Sequence, residues 1–123
     1  MSSIQRPLAG PSMTFPLAEQ IEELRREEAY TRSGRAGRTL AKSGDFRVVL
    51  VAMADGNVVG THQAHGPMTI HLLRGHLRYR VDGEEHALSE GEVLFFGPAA
   101  AHDITADAES ALLLTLSQEG HTA

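Results

Sequence analysis

The chain contains no cysteine. That excludes disulfides, thiolate zinc sites and a thiol nucleophile. Basic charge is in the minority, with 11 Lys and Arg against 16 Asp and Glu and a net charge of −5. The basic patch that a nucleic-acid partner demands is therefore missing. No apolar run approaches the roughly 18–20 residues needed to cross a bilayer. Met1 to Pro16 holds no apolar stretch of signal-peptide length. Together these absences predict a soluble, cytoplasmic protein with neither a nucleic-acid nor a membrane partner. What remains is ordinary for a globular domain: 123 residues, 41% hydrophobic and 22% charged. One domain of that length can bury a core without staples.

Four regions follow from the pattern. Residues 1–16 carry Pro7, Pro11 and Pro16 and read as an N-terminal arm. Residues 17–37 read as a helix and a linker. Leu17, Ile21 and Leu24 make one apolar stripe over 17–30, and Pro16 suits its first turn. Glu22 and Arg26 are spaced to pair at i, i+4. The Gly-rich 33–38 stretch has no Gly-Lys-Ser/Thr, so it is read as a connector and not as a phosphate loop. Residues 38–118 form a β region, and 119–123 a tail.

The β region rests on turn spacing. Gly44, Gly56, Gly66, Gly75, Gly83, Gly91, Gly97 and Ala108 recur 6–12 residues apart, between runs rich in β-formers. That rhythm predicts an all-β sandwich or barrel. Residues 76–81 alternate, with Leu77, Tyr79 and Val81 on one face and His76, Arg78 and Arg80 on the other. Asp82-Gly83 then signals a hairpin. The continuous apolar runs at 94–96 and 112–114 suggest strands covered on both faces, by the helix on one side and by a second subunit on another.

The candidate chemistry lies with histidine, which occurs seven times. Imidazole binds metals and moves protons near neutral pH. His76, His86 and His121 sit in polar surroundings and read as solvated. His62, His65, His71 and His102 lie in β segments or their turns. On a straight strand His62 and His65 point to opposite faces, His71 shares a face with Thr69 and Leu73, and Asp103 points away from His102. No Gly-x-Ser-x-Gly elbow and no His-Glu-x-x-His motif is present.

The segment from Gly56 to Ala106 resembles the cupin superfamily. Gly56 is followed after five residues by His62, then Ala64 where a second His stands in the family, Met68 where a Glu stands, and Gly75. The second motif matches at Gly91, Gly97-Pro98-Ala99 and His102, with Ala106 where an Asn stands. The resemblance implies a double-stranded β-helix (jelly-roll) barrel over 38–118 with the helix packed outside. It implies an interior lined by His62, Ala64, Met68, Ile70, Leu72, Tyr79 and His102, and a homodimer. In the family three His and one Glu hold a metal. Here only His62 and His102 keep a ligand, and a thioether is a soft donor unlike a carboxylate. Two readings stay open: a module binding a small, partly apolar molecule without a cofactor, and a metal-dependent isomerase or dioxygenase with one divalent transition metal on His62 and His102.

Overall fold

The structure, a computed structural model, describes residues 11–63, 66–81, 83–97 and 101–117; for 61–63, 101 and 102 it describes the backbone alone. Two helices come first, α1 (Leu17–Arg25) and α2 (Glu28–Ser33). Nine strands follow: β1 (Arg35–Ser43), β2 (Phe46–Met53), β3 (Val58–Gln63), β4 (Met68–Arg74), β5 (His76–Val81), β6 (Glu84–Ser89), β7 (Val93–Phe96), β8 (Ala101–Ala106) and β9 (Ser110–Ser117). They build a five-stranded sheet, β1-β2-β9-β4-β7, and a four-stranded sheet, β3-β8-β5-β6. This is the all-β jelly-roll architecture the sequence predicts. No helix among the described residues is long and apolar enough to cross a membrane.

The single helix expected over 17–30 is divided. Arg26 is still helical, but Glu27 is extended with φ −75° and ψ 149°. The reason is tertiary. Arg38 on β1 donates to Gln20 Oε1 (3.0 Å), Glu23 Oε1 (2.7 Å) and Glu27 Oε2 (2.9 Å). The break helps bring Glu27 back onto that guanidinium. Glu22 likewise pairs with Arg25 (3.2 Å) and Arg74 (3.3 Å) in place of the expected Arg26. The expected linker is shorter too. Gly34, in the left-handed region at φ 81°, ends α2 by donating to the Tyr30 carbonyl at 2.8 Å, and β1 starts at the next residue. Arg35 to Thr39 pair with Met53 to Val49, and a ladder partner turns a Gly-rich stretch into strand.

Two apolar layers result from period-2 alternation. Ile70, Leu72, Leu77, Leu88, Phe96, Ile104 and Leu112 meet between the sheets. Ile21 and Leu24 pack with Leu40, Leu50 and Ala111 on the outer side of the five-stranded sheet. Burying Ile21 and Leu24 there stabilises by about 1.5–3 kcal/mol each. The apolar run in β9 is thus divided, with Leu112 and Leu114 facing the barrel core and Leu113 facing the helices. In β7 the outward residues differ: Phe95 is 65% exposed and Val93 59%.

The barrel's two ends are distinguishable. At one, Ser110 Oγ donates to the Ala108 carbonyl (2.7 Å) and also lies 3.3 Å from both the N–H and the carbonyl oxygen of His76. Gly75 is pressed against that serine at φ 96°, where a Cβ would collide with Ser110 Oγ and the Glu109 carbonyl oxygen. At the other end lie the last residues of β3, β5, β7 and β9 and the first residues of β2, β4, β6 and β8.

Candidate functional site

The second end holds the two motif histidines. β3 and β8 run antiparallel with Val59 opposite Ile104, then His62 opposite His102, and the register shifts between the two pairs. Gly60 and Thr61 therefore stand against Asp103 alone, which is a β-bulge. The bulge has a consequence for sidedness. Val59 and Ile104 pack on the barrel core. His62 lies three positions beyond Val59, which on a regular strand is the opposite face. The additional residue restores His62 to the barrel-facing side, where His102, two positions before Ile104, also lies.

Around this pair the interior is apolar. Val81 is the partner of His102 on β5. On the facing sheet the register row at the same end is Arg47, Leu116, Met68 and Phe96. Met68 is partly buried against the core, whereas Ile70 and Leu72 are fully enclosed by it. Tyr79 meets Phe96 edge-on (centroids 6.0 Å, interplanar angle 89°) and stacks on His86 (5.1 Å, 24°). Ala64 and His65 lie outside the described residues.

Two residues on the barrel-facing side were missed by the sequence reading. His86, read as solvated, is exposed, yet its ring covers Tyr79. Arg47 is the other. Counting back by twos from Met53 and Val51, both on the core, puts Arg47 on the inner face of β2. Residues 46–53 are apolar on both faces apart from Arg47, so only the packing of Met53 and Val51 shows which face is inner. Arg47 Nε is buried and has no hydrogen-bond partner.

The donor set does not fit the four-ligand centre that the resemblance implies. A thioether stands at the carboxylate position, and alanine at a histidine position. Asp103 is on the other side of β8, lining a shallow outer depression of about 80 Å³ with Arg78, Arg80, Glu85 and Thr105. Among the described residues no group of three His, Cys, Asp or Glu could hold a metal ion. The charges of the outer face are largely matched. Arg78 donates to Asp107 (2.7 Å) and Glu85 (2.8 Å). The hydrogen bond from Arg78 holds the Asp107 carboxyl below its ordinary range, and the same bond raises the Arg78 guanidinium.

Comparison with known proteins agrees with this geometry. The fold is similar to a cupin superfamily protein of Desulfitobacterium hafniense, at 23% identity and TM-score 0.73, covering 91% of this chain and 95% of that one. It is similar to a conserved protein of unknown function from Streptococcus pyogenes, at 19% identity and TM-score 0.71, covering 90% and 91%. An RmlC-like cupin from Shewanella frigidimarina matches at 19% identity and TM-score 0.67, covering 73% and 81%. No curated protein sequence matches the chain. The cupin-domain family model matches residues 49–117, which include both motif histidines, the bulge and strands β3 to β9, and the chain belongs to the cupin family.

Proposed function

We propose that this cupin binds a small, partly apolar molecule in the barrel interior at the end where His62 and His102 are paired. The observation that carries the reading is that register pair, set in a wall of Val81, Met68, Leu116 and Phe96. An apolar interior with a few polar groups is the usual make-up of a ligand site. Each imidazole can donate or accept, so the pair orients a bound hydroxyl or carbonyl. Methionine in place of a carboxylate makes this end drier and favours apolar ligand surface.

The same two imidazoles support a competing reading, a metal-dependent isomerase or dioxygenase. Metal analysis of protein purified without a His tag separates the two. Binding without a cofactor predicts a metal-free preparation in which 1-hexanol shifts amide resonances of β3 and β8, an effect lost in His62→Ala and His102→Ala. Stoichiometric iron, manganese, nickel, copper or zinc that disappears in His62→Ala overturns that reading in favour of the metal centre.

A homodimer belongs to the same proposal. Phe95 and Val93 expose apolar surface on the outer side of β7, and a second copy would cover it. Light scattering is expected to report twice the mass of the 13.3 kDa chain, and a monomer at micromolar concentration counts against the pairing. Cytoplasmic placement is part of this reading too, supported by the cysteine-free composition.

A further inference from the structure

We infer that the ligand of this barrel carries a carboxylate, and that Arg47 is the residue that selects it. The inference rests on the binding reading above and adds the chemical class of the ligand.

Arg47 is on the inner face of β2, in register with Leu116, which is in register with Met68, which is in register with Phe96. That row lies at the barrel end where His62 and His102 are paired on the facing sheet. Facing sheets pack about 10 Å apart, a span that one small molecule bridges. The inner positions that follow along β2 are Val49, Val51 and Met53, so alternation calls for an apolar residue at 47 and the chain has a cation there.

The second observation is that one donor of that cation is unanswered. Its Nε is shielded from solvent and has no hydrogen-bond partner. No ion pair among the described residues includes Arg47, while Arg38 on the adjacent strand has two carboxylates and Arg78 on the opposite sheet has two more. Burying a donor without an acceptor is destabilising; Arg25 Nε, the other such donor among the described residues, has the Glu109 carboxylate 3.5 Å away, whereas Arg47 has no ion pair among them.

The third element is chemical. A guanidinium presents parallel N–H groups that match the two oxygens of a carboxylate, and the pairing strengthens where water is excluded. The net charge of −5 gives no long-range attraction for an anion, so the selectivity must come from this local group. A carboxylate head at Arg47, an apolar body along Met68, Val81 and Phe96, and a polar group reaching the imidazole pair make one coherent ligand: a small carboxylic acid with an apolar chain.

The test is a matched pair of probes of equal chain length, hexanoate and 1-hexanol, titrated against the full chain by amide chemical-shift mapping. Hexanoate should bind at least about tenfold more tightly than the alcohol, the gain a charge-assisted pair supplies. In Arg47→Gln the advantage should vanish while the affinity for 1-hexanol stays. Arg47→Lys should keep part of it, since the charge remains and the fork is lost. Equal affinities in the wild type, or an advantage that survives Arg47→Gln, overturn the carboxylate assignment and leave the barrel reading standing. Absence of binding by both probes overturns the barrel reading and this inference with it. A thermal melt of Arg47→Gln checks its fold, and binding of 1-hexanol by the variant is the internal control.

Discussion

Arg38 and Arg47 stand on neighbouring strands, β1 and β2, on opposite faces of one sheet, and their surroundings could hardly differ more. On the outer face, Arg38 is only 14% exposed and is held by Gln20, Glu23 and Glu27 from the helical segment. Burial works against its charge, but the hydrogen bonds to Glu23 and Glu27 outweigh that, and the guanidinium stays above its ordinary pKa. On the inner face, Arg47 has a buried Nε with no acceptor. The outer face is finished by the chain itself: helices, leucines and carboxylates arrive together, Arg38 has three acceptors, and Arg25 Nε, buried without a hydrogen bond, still lies 3.5 Å from the Glu109 carboxylate. The barrel end where His62 and His102 are register partners carries Arg47, a cation with no ion pair among the described residues. That contrast separates the part of the molecule built for stability from the part available for chemistry.

Substitutions can break or sharpen the contrast. The largest effect is expected at Leu24, fully enclosed between α1 and the sheet. Leu24→Ala should cost about 2–5 kcal/mol in chemical denaturation, the range for a buried leucine truncated to a cavity. Arg38→Ala comes next. It leaves Gln20 buried without that donor and removes the ion pairs to Glu23 and Glu27, for about 1–3 kcal/mol by the same measurement. Arg47→Leu should behave oppositely. Removing an unsatisfied buried donor and extending the apolar row relieves up to about 1–3 kcal/mol, so the melting temperature holds or rises. A clear fall in melting temperature would mean that Arg47 is structural after all, and the contrast would collapse.

The smallest effect is expected at Asp107, where the pair with Arg78 is exposed and paired, unlike either inner or outer arginine. The hydrogen bond from Arg78 lowers the Asp107 pKa on folding. A depressed carboxylate contributes stability that is present above the unfolded value, about 3.9, and is lost as pH falls through the lowered folded value. Asp107→Asn should therefore lower the melting temperature slightly at pH 7, with the difference closing below about pH 4. Salt should shrink the same difference, because exposed pairs are screened.

Much of this could be read from local pattern. The glycines at 44, 56, 75, 83 and 91 mark turns, and all five adopt the positive φ that favours glycine. The alternation of 76–81 assigned Leu77 to the core and Arg78 to solvent correctly. The spacing of the two motifs singled out His62 and His102, which are register partners. Three features escaped. The helix broke at Glu27 because an arginine eleven positions later needed its carboxylate. The Gly-rich stretch at 35–38 became strand because Met53 to Leu50 offered it a ladder. The register of His62 with His102 depended on a bulge; the lone glycine Gly60 inside a strand is compatible with one, but spacing does not fix where the extra residue falls.

By itself, then, the order of residues determined strand content, turn positions and the apolar faces, because each of these depends on neighbours two to four positions away, where period and turn chemistry act. Tertiary structure alone decided which polar groups are answered. Whether Arg38 meets a carboxylate and Arg47 does not is settled by what distant segments bring to each face, and burial turns that difference from a negligible one in water into one large enough to separate scaffold from site.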